Sequence, residues 1–130
     1  MRLKGQGDCD IQHIESGAIL RSSKSPVFGG SGRSFSSSDL VAAGLGSCIA
    51  TDLEAVAERH GLAPAEIEIE VDKHLATSPK RIAGFDVHVS LPDHVDDVLL
   101  VKLQRAARTC LVWRSLGADV RVEVDFTRRM

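Results

Sequence analysis

The chain carries three cysteines in 130 residues, at positions 9, 48 and 110, too few and too unevenly spaced for a disulfide framework or a paired zinc motif. Its five histidines, at 13, 60, 74, 88 and 94, stand at no ligand spacing from a cysteine or from one another, so neither a metal nor a cofactor is expected. A basic excess is lacking: 16 Lys and Arg face 18 Asp and Glu, a net charge of −2, which argues against a nucleic-acid partner. The Arg128-Arg129 pair is too short to change that. No apolar run approaches the roughly 18 residues that cross a bilayer, so no membrane partner is expected. Residues 1–8 have no apolar segment behind their basic residues, so no signal peptide is expected and a cytoplasmic location follows. Gly29-Gly-Ser-Gly32 lacks the lysine–serine ending and the strand-to-helix setting of a phosphate loop. Tyrosine is absent, and the single tryptophan, Trp113, reads as an anchor of the core or of an interface.

What is present is globular in character. Hydrophobic content of 43% and charged content of 26% suit a soluble protein, and the length suits one domain over residues 1–130. Ile11-Gln-His-Ile14 and Ala18-Ile-Leu-Arg21, on either side of Glu15-Ser-Gly17, read as a hairpin. Residues 23–38 form a Ser/Gly-rich loop that is either functional or a disordered excursion.

A helix is predicted from about Asp39 to His60, capped by Ser37 or Ser38 and stopped by Gly61. Leu45, Cys48, Asp52 and Val56 share one stripe of it. Ala42, Ala43, Gly44, Gly46, Ser47 and Ala50 make it unusually small-sided, which asks for close packing, including against its own copy across a two-fold axis. Ile67–Val71 and Phe85–Leu91 alternate strictly, with Phe85, Val87, Val89 and Leu91 inward, as in an antiparallel sheet with one wet face. A second helix is predicted to start at Pro92-Asp93, with Asp93 as its cap, and to end near Cys110. Val120–Phe126 is a last strand. The order gives an α+β fold.

Cys48 lies at the middle of the first helix, beyond the first turn where the helix dipole would help its thiolate. Its activation calls for a cation from elsewhere, and Arg33 is the candidate, with Lys24 and Arg21 behind it. Cys110, at a helix C-terminus, is the poorer thiolate. Cys48 therefore suits an attacking thiol and Cys110 a resolving one. The bland alternative is that both are packed as small hydrophobes and that Arg33 is simply solvated. Cys9 has no helper and reads as structural.

The segment Ser36-Ser-Ser-Asp39-Leu-Val-Ala-Ala-Gly-Leu-Gly-Ser-Cys48, together with Cys110-Leu-Val-Trp-Arg-Ser-Leu116, resembles the two cysteine segments of the OsmC/Ohr family of thiol-dependent peroxidases. The resemblance implies an OsmC-like fold: antiparallel sheets wrapped around a long central helix in an intertwined homodimer. It also implies reduction of organic hydroperoxides at Cys48, an intrachain disulfide with Cys110, and recycling by a dithiol such as a lipoylated protein. The sequence departs from the family pattern in three places. Ser38 stands where hydroperoxide-resistance members carry a catalytic glutamate, with Asp39 adjacent. The family arginine has only Arg33 and Lys24 in its neighbourhood. Leu111 and Trp113 replace Pro and His. Two further readings follow from the same residues: a small-molecule-binding dimer without catalysis, and a thiol redox sensor.

Overall fold

A strand whose alternate side chains are all large and apolar must bury that face completely, and Phe85, Val87, Val89 and Leu91 do so, each fully buried. They lie on β5 (Lys80–Leu91), the middle of a three-stranded sheet in the computed structural model, which describes residues 1–130. The chain divides into two units, Met1–Val41 and Ala42–Met130.

The first unit holds an antiparallel sheet of β1 (Arg2–Gly5), β2 (Asp8–Gln12) and β3 (Ile19–Ser22). The hairpin expected around Glu15-Ser-Gly17 is β2–β3, and Gly17, at φ 75°, supplies the left-handed turn residue. β1 was not foreseen, because Arg2-Leu-Lys-Gly5 is exposed throughout and has no buried face to leave a pattern. The Ser/Gly-rich loop contains one 3-10 turn, Pro26–Phe28, capped by Ser25.

Helix α1 spans Ser37–Arg59. Its cap is Ser36, one residue ahead of the expected Ser37 or Ser38. The Ser36 hydroxyl accepts the Asp39 N–H (3.2 Å) and the Asp39 carboxylate accepts the Ser36 N–H (2.9 Å). This reciprocal capping box needs Ser and an acid three apart, which fixes Ser36 rather than its neighbours. At the other end Leu62 N–H bonds the Ala57 carbonyl and Gly61 takes φ 71°, the expected stop.

The second unit packs α1 from residue 42 onward, a sheet and two helices around one core. β4 (Glu68–Thr77) pairs antiparallel with β5, while β6 (Arg121–Arg128) pairs parallel with it, in the order β4-β5-β6. The parallel pair corrects the expectation of a wholly antiparallel sheet. The segment between β5 and β6 contains two helices, long enough for the crossover that parallel strands require. Of these, α2 covers Asp97–Ala107 and α3 covers Leu111–Ser115. Asp96, not Asp93, caps α2: its carboxylate accepts the Leu99 N–H at 2.7 Å, while Pro92–Val95 forms a separate turn. The core joins Leu45, Ile49 and Leu53 of α1 to the β5 face and to Leu103 and Ala107 of α2.

Small residues on α1 serve two surroundings. A side chain at Gly46 would meet Val71 at 3.0 Å, so the close approach is to β4; around Gly44 there is open space. By length and composition alone α1, with mean hydropathy 1.5 over 18 residues, is long and apolar enough to cross a membrane, which corrects the expectation that no segment is. Asp52 and Glu54 interrupt the run, and a third of that window is buried.

Candidate active site

The stripe Leu45–Cys48–Asp52–Val56 of α1 turns two of its members into the core and brings Cys48 and Asp52, one turn apart, to one side of the helix. Facing them is Cys110, fully buried, at the start of α3. The two sulfurs and a carboxylate oxygen of Asp52 all lie within 4.8 Å of one another. Cys48 and Asp52 are half-buried, and Cys110 is fully buried.

Cys110 is not at the end of a helix, as its sequence position had suggested. The preceding helix stops at Ala107, and Cys110 is the N-cap of α3, its Sγ accepting the Trp113 N–H at 3.4 Å. Burial pushes the Cys110 thiol up from its ordinary value. The Trp113 N–H pulls the other way, and the adjacent Cys48 adds to the rise by hydrogen bonding and repulsion. The thiol is thus held protonated by desolvation, not by a helix dipole.

Asp52 was placed on the Cys48 stripe from the sequence but given no role. Its Oδ2 is shielded from solvent and has no hydrogen-bond partner. The available signal was a charged residue four positions from a cysteine on an otherwise apolar stripe. Of the other candidates, Asp39 belongs to the capping box of α1, and Arg33 is exposed in the loop ahead of it, with its N–H on the Ser31 hydroxyl. Both lie in the first unit; the two sulfurs lie in the second. Cys9 sits half-buried on β2. Trp113 is packed against the core, as expected of an anchor. An open groove of about 530 Å³ runs between α2 and β6, lined by Arg105, Arg108, Trp113, Val124 and Phe126 among others.

A pair of thiols facing each other, one on a long small-residue helix and one on a short helix after a crossover, defines a two-cysteine α+β protein. The chain belongs to the OsmC family: that family's model, described as OsmC-like protein, matches residues 30–125. Among solved structures it is similar to a Psychrobacter arcticus 273-4 protein named for osmotic stress induction and a detoxification response, with 25% identity and TM-score 0.90, over 96% of this chain and 91% of that one. It is also similar to an organic hydroperoxide resistance protein OsmC of Legionella pneumophila (15% identity, TM-score 0.78, 98% and 93% covered). A third is the organic hydroperoxide resistance protein OhrB of Bacillus subtilis (19%, 0.67, 98% and 95%). At the lower identities the likeness is one of fold. No protein of curated function matches the chain by sequence.

Proposed function

We propose that the protein is a thiol peroxidase that reduces organic hydroperoxides. The observation that carries this reading is the approach of the Cys48 and Cys110 sulfurs to within 4.8 Å. A disulfide bond is about 2.05 Å long, so the gap closes by side-chain rotation and a small shift of α3.

In the first step the Cys48 thiolate attacks the outer peroxide oxygen. The O–O bond breaks, the alkoxide leaves and takes up a proton as the alcohol, and Cys48 becomes a sulfenic acid. Cys110 then attacks the Cys48 sulfur; hydroxide leaves as water with the Cys110 proton, and the disulfide forms. An external dithiol, such as a lipoylated protein, restores both thiols by exchange and is itself oxidised to a disulfide. The half-buried position of Cys48 supports its role as the attacking sulfur. The fully buried, raised thiol of Cys110 supports a resolving role. By its place in the sequence, near where the family carries its active-site arginine, Arg33 is the residue whose substitution tests for an activating cation.

The assembly proposed is a homodimer built on α1. In support, Val41, Ala43 and Ser47 of this apolar helix are exposed, and Val122, Val124 and Phe126 of β6 are only half-buried.

The test is thiol titration after organic hydroperoxide is added to the reduced protein. The wild type loses two thiols per chain, and Cys110→Ser accumulates a trappable sulfenic acid at Cys48. A Cys48 that stays reduced under excess peroxide overturns the proposal. Arg33→Ala is expected to slow the oxidation; an unchanged rate at pH 7 removes Arg33 from the mechanism.

A further inference from the structure

Three donors of the right chemistry meet in one place that neither the fold nor the two-cysteine scheme assigns to a ligand. Cys48 Sγ, Cys110 Sγ and an Asp52 carboxylate oxygen lie within 4.8 Å of one another. A tetrahedral zinc ion with sulfur ligands at about 2.3 Å and a carboxylate ligand at about 2.1 Å sets its sulfurs about 3.8 Å apart and each sulfur about 3.6 Å from the oxygen. Side-chain adjustment of about 1 Å brings the three donors to that geometry.

A second observation points to the same occupant. Asp52 Oδ2 is shielded from solvent and yet has no hydrogen-bond partner. A carboxylate oxygen in that state wants a proton donor or a cation. Two thiolates beside it repel it and each other, so an anionic form of the cluster is stable only around positive charge. A divalent ion supplies that charge and satisfies the carboxylate at the same time.

We infer that Cys48, Asp52 and Cys110 form a binding site for a divalent ion of the zinc class, with three protein ligands and an open fourth position. Two thiolates and one carboxylate select a borderline-soft ion such as Zn²⁺ or Cd²⁺ over Mg²⁺ or Ca²⁺. The charge balance is explicit: the ion displaces two thiol protons, meets an ionised Asp52, and leaves a complex of net charge −1. The fourth position takes water or an exogenous thiol. Coordination occupies the lone pairs with which Cys48 would attack a peroxide, so metal loading and thiol oxidation exclude each other. The inference goes beyond the peroxidase reading and needs only the reduced thiols.

The experiment is a titration of the reduced, metal-free chain with Cd²⁺ and with Co²⁺, followed by the thiolate-to-metal charge-transfer absorbance. One ion per chain is expected. Cys9→Ser should leave the band unchanged, while Cys48→Ser and Cys110→Ser should each remove it or cut it by about half. Asp52→Asn, checked for native circular dichroism, should keep the band and weaken binding by at least about 10-fold, the cost of losing a mere supporting partner of a ligand. No band at millimolar excess of Cd²⁺, a band lost with Cys9, or an affinity unmoved by both Asp52→Asn and Asp52→Ala overturns the site. Peroxide enters none of these measurements, so failure of the site and failure of the peroxidase reading are told apart.

Discussion

Cys110 accepts the Trp113 N–H on its sulfur at 3.4 Å, so the proposed resolving residue is also the cap of α3. Ser is a good cap and Ala is not. Cys110→Ala is therefore expected to be about 1 kcal/mol less stable than Cys110→Ser in urea denaturation. Equal stabilities would show that the sulfur does not cap. The comparison also makes Cys110→Ser the better variant for trapping intermediates.

The start of α2 offers a similar choice between carboxylates. Asp96→Ala should cost about 1 kcal/mol through loss of the bond to the Leu99 N–H, while Asp93→Ala should change stability by less than about 0.5 kcal/mol. The reverse ranking would move the start of the helix back to Pro92-Asp93.

Gly44 tests the homodimer. Within the chain nothing lies within 4 Å of a side-chain carbon placed there, so alanine should favour the helix by up to about 1 kcal/mol. If two copies of α1 pack through their small residues, the added methyl group intrudes. Gly44→Ala is expected to weaken association in sedimentation at graded concentrations. Undiminished association with the full gain in stability would rule out an interface at this face.

The sheet carries a pH-sensitive element at Asp86. His74 Nε2 lies 2.6 Å from its Oδ2 and Arg121 Nη1 lies 3.4 Å from its Oδ1. The hydrogen bond from His74, then the charges of His74 and Arg121, lowers the Asp86 carboxyl below its ordinary value. A depressed carboxyl contributes stability above the ordinary carboxylate range and loses it as pH falls through its folded value. Wild type should therefore exceed Asp86→Asn in Tm at neutral pH, with the gap closing below about pH 4. A gap that is constant down to pH 2.5 would remove the pair from the acid response. The site is exposed, so the effect is modest.

How much could be read in advance depended on what each residue pattern encodes. The inward phase of β5 was plain, because four apolar residues at period two have only one face to bury. α1 was equally plain from its glycine stop and acidic start. Its cap lies one residue ahead of the expected position because three serines, Ser36 to Ser38, stand in a row and only the pairing with Asp39 distinguishes them. α2 was started too early because Asp93, Asp96 and Asp97 are all acceptable caps. The parallel β5–β6 pair was hidden because alternation carries no information about strand direction. At the site, both cysteines could be nominated, but their meeting depends on a break after Ala107 that no Gly or Pro announces. Asp52 was visible as a charge on an apolar stripe, and only the position of Cys110 gives that charge a neighbourhood.

The facing sulfurs have a mechanical side. A bond between them would enclose β4, β5 and α2 in a covalent ring and reduce the freedom of the unfolded chain, worth on the order of 4 kcal/mol in the chain-entropy picture. Oxidised protein would then be the harder form to melt. Reduction would return that freedom to the opened chain, so the redox state could be read as susceptibility to proteolysis through global unfolding.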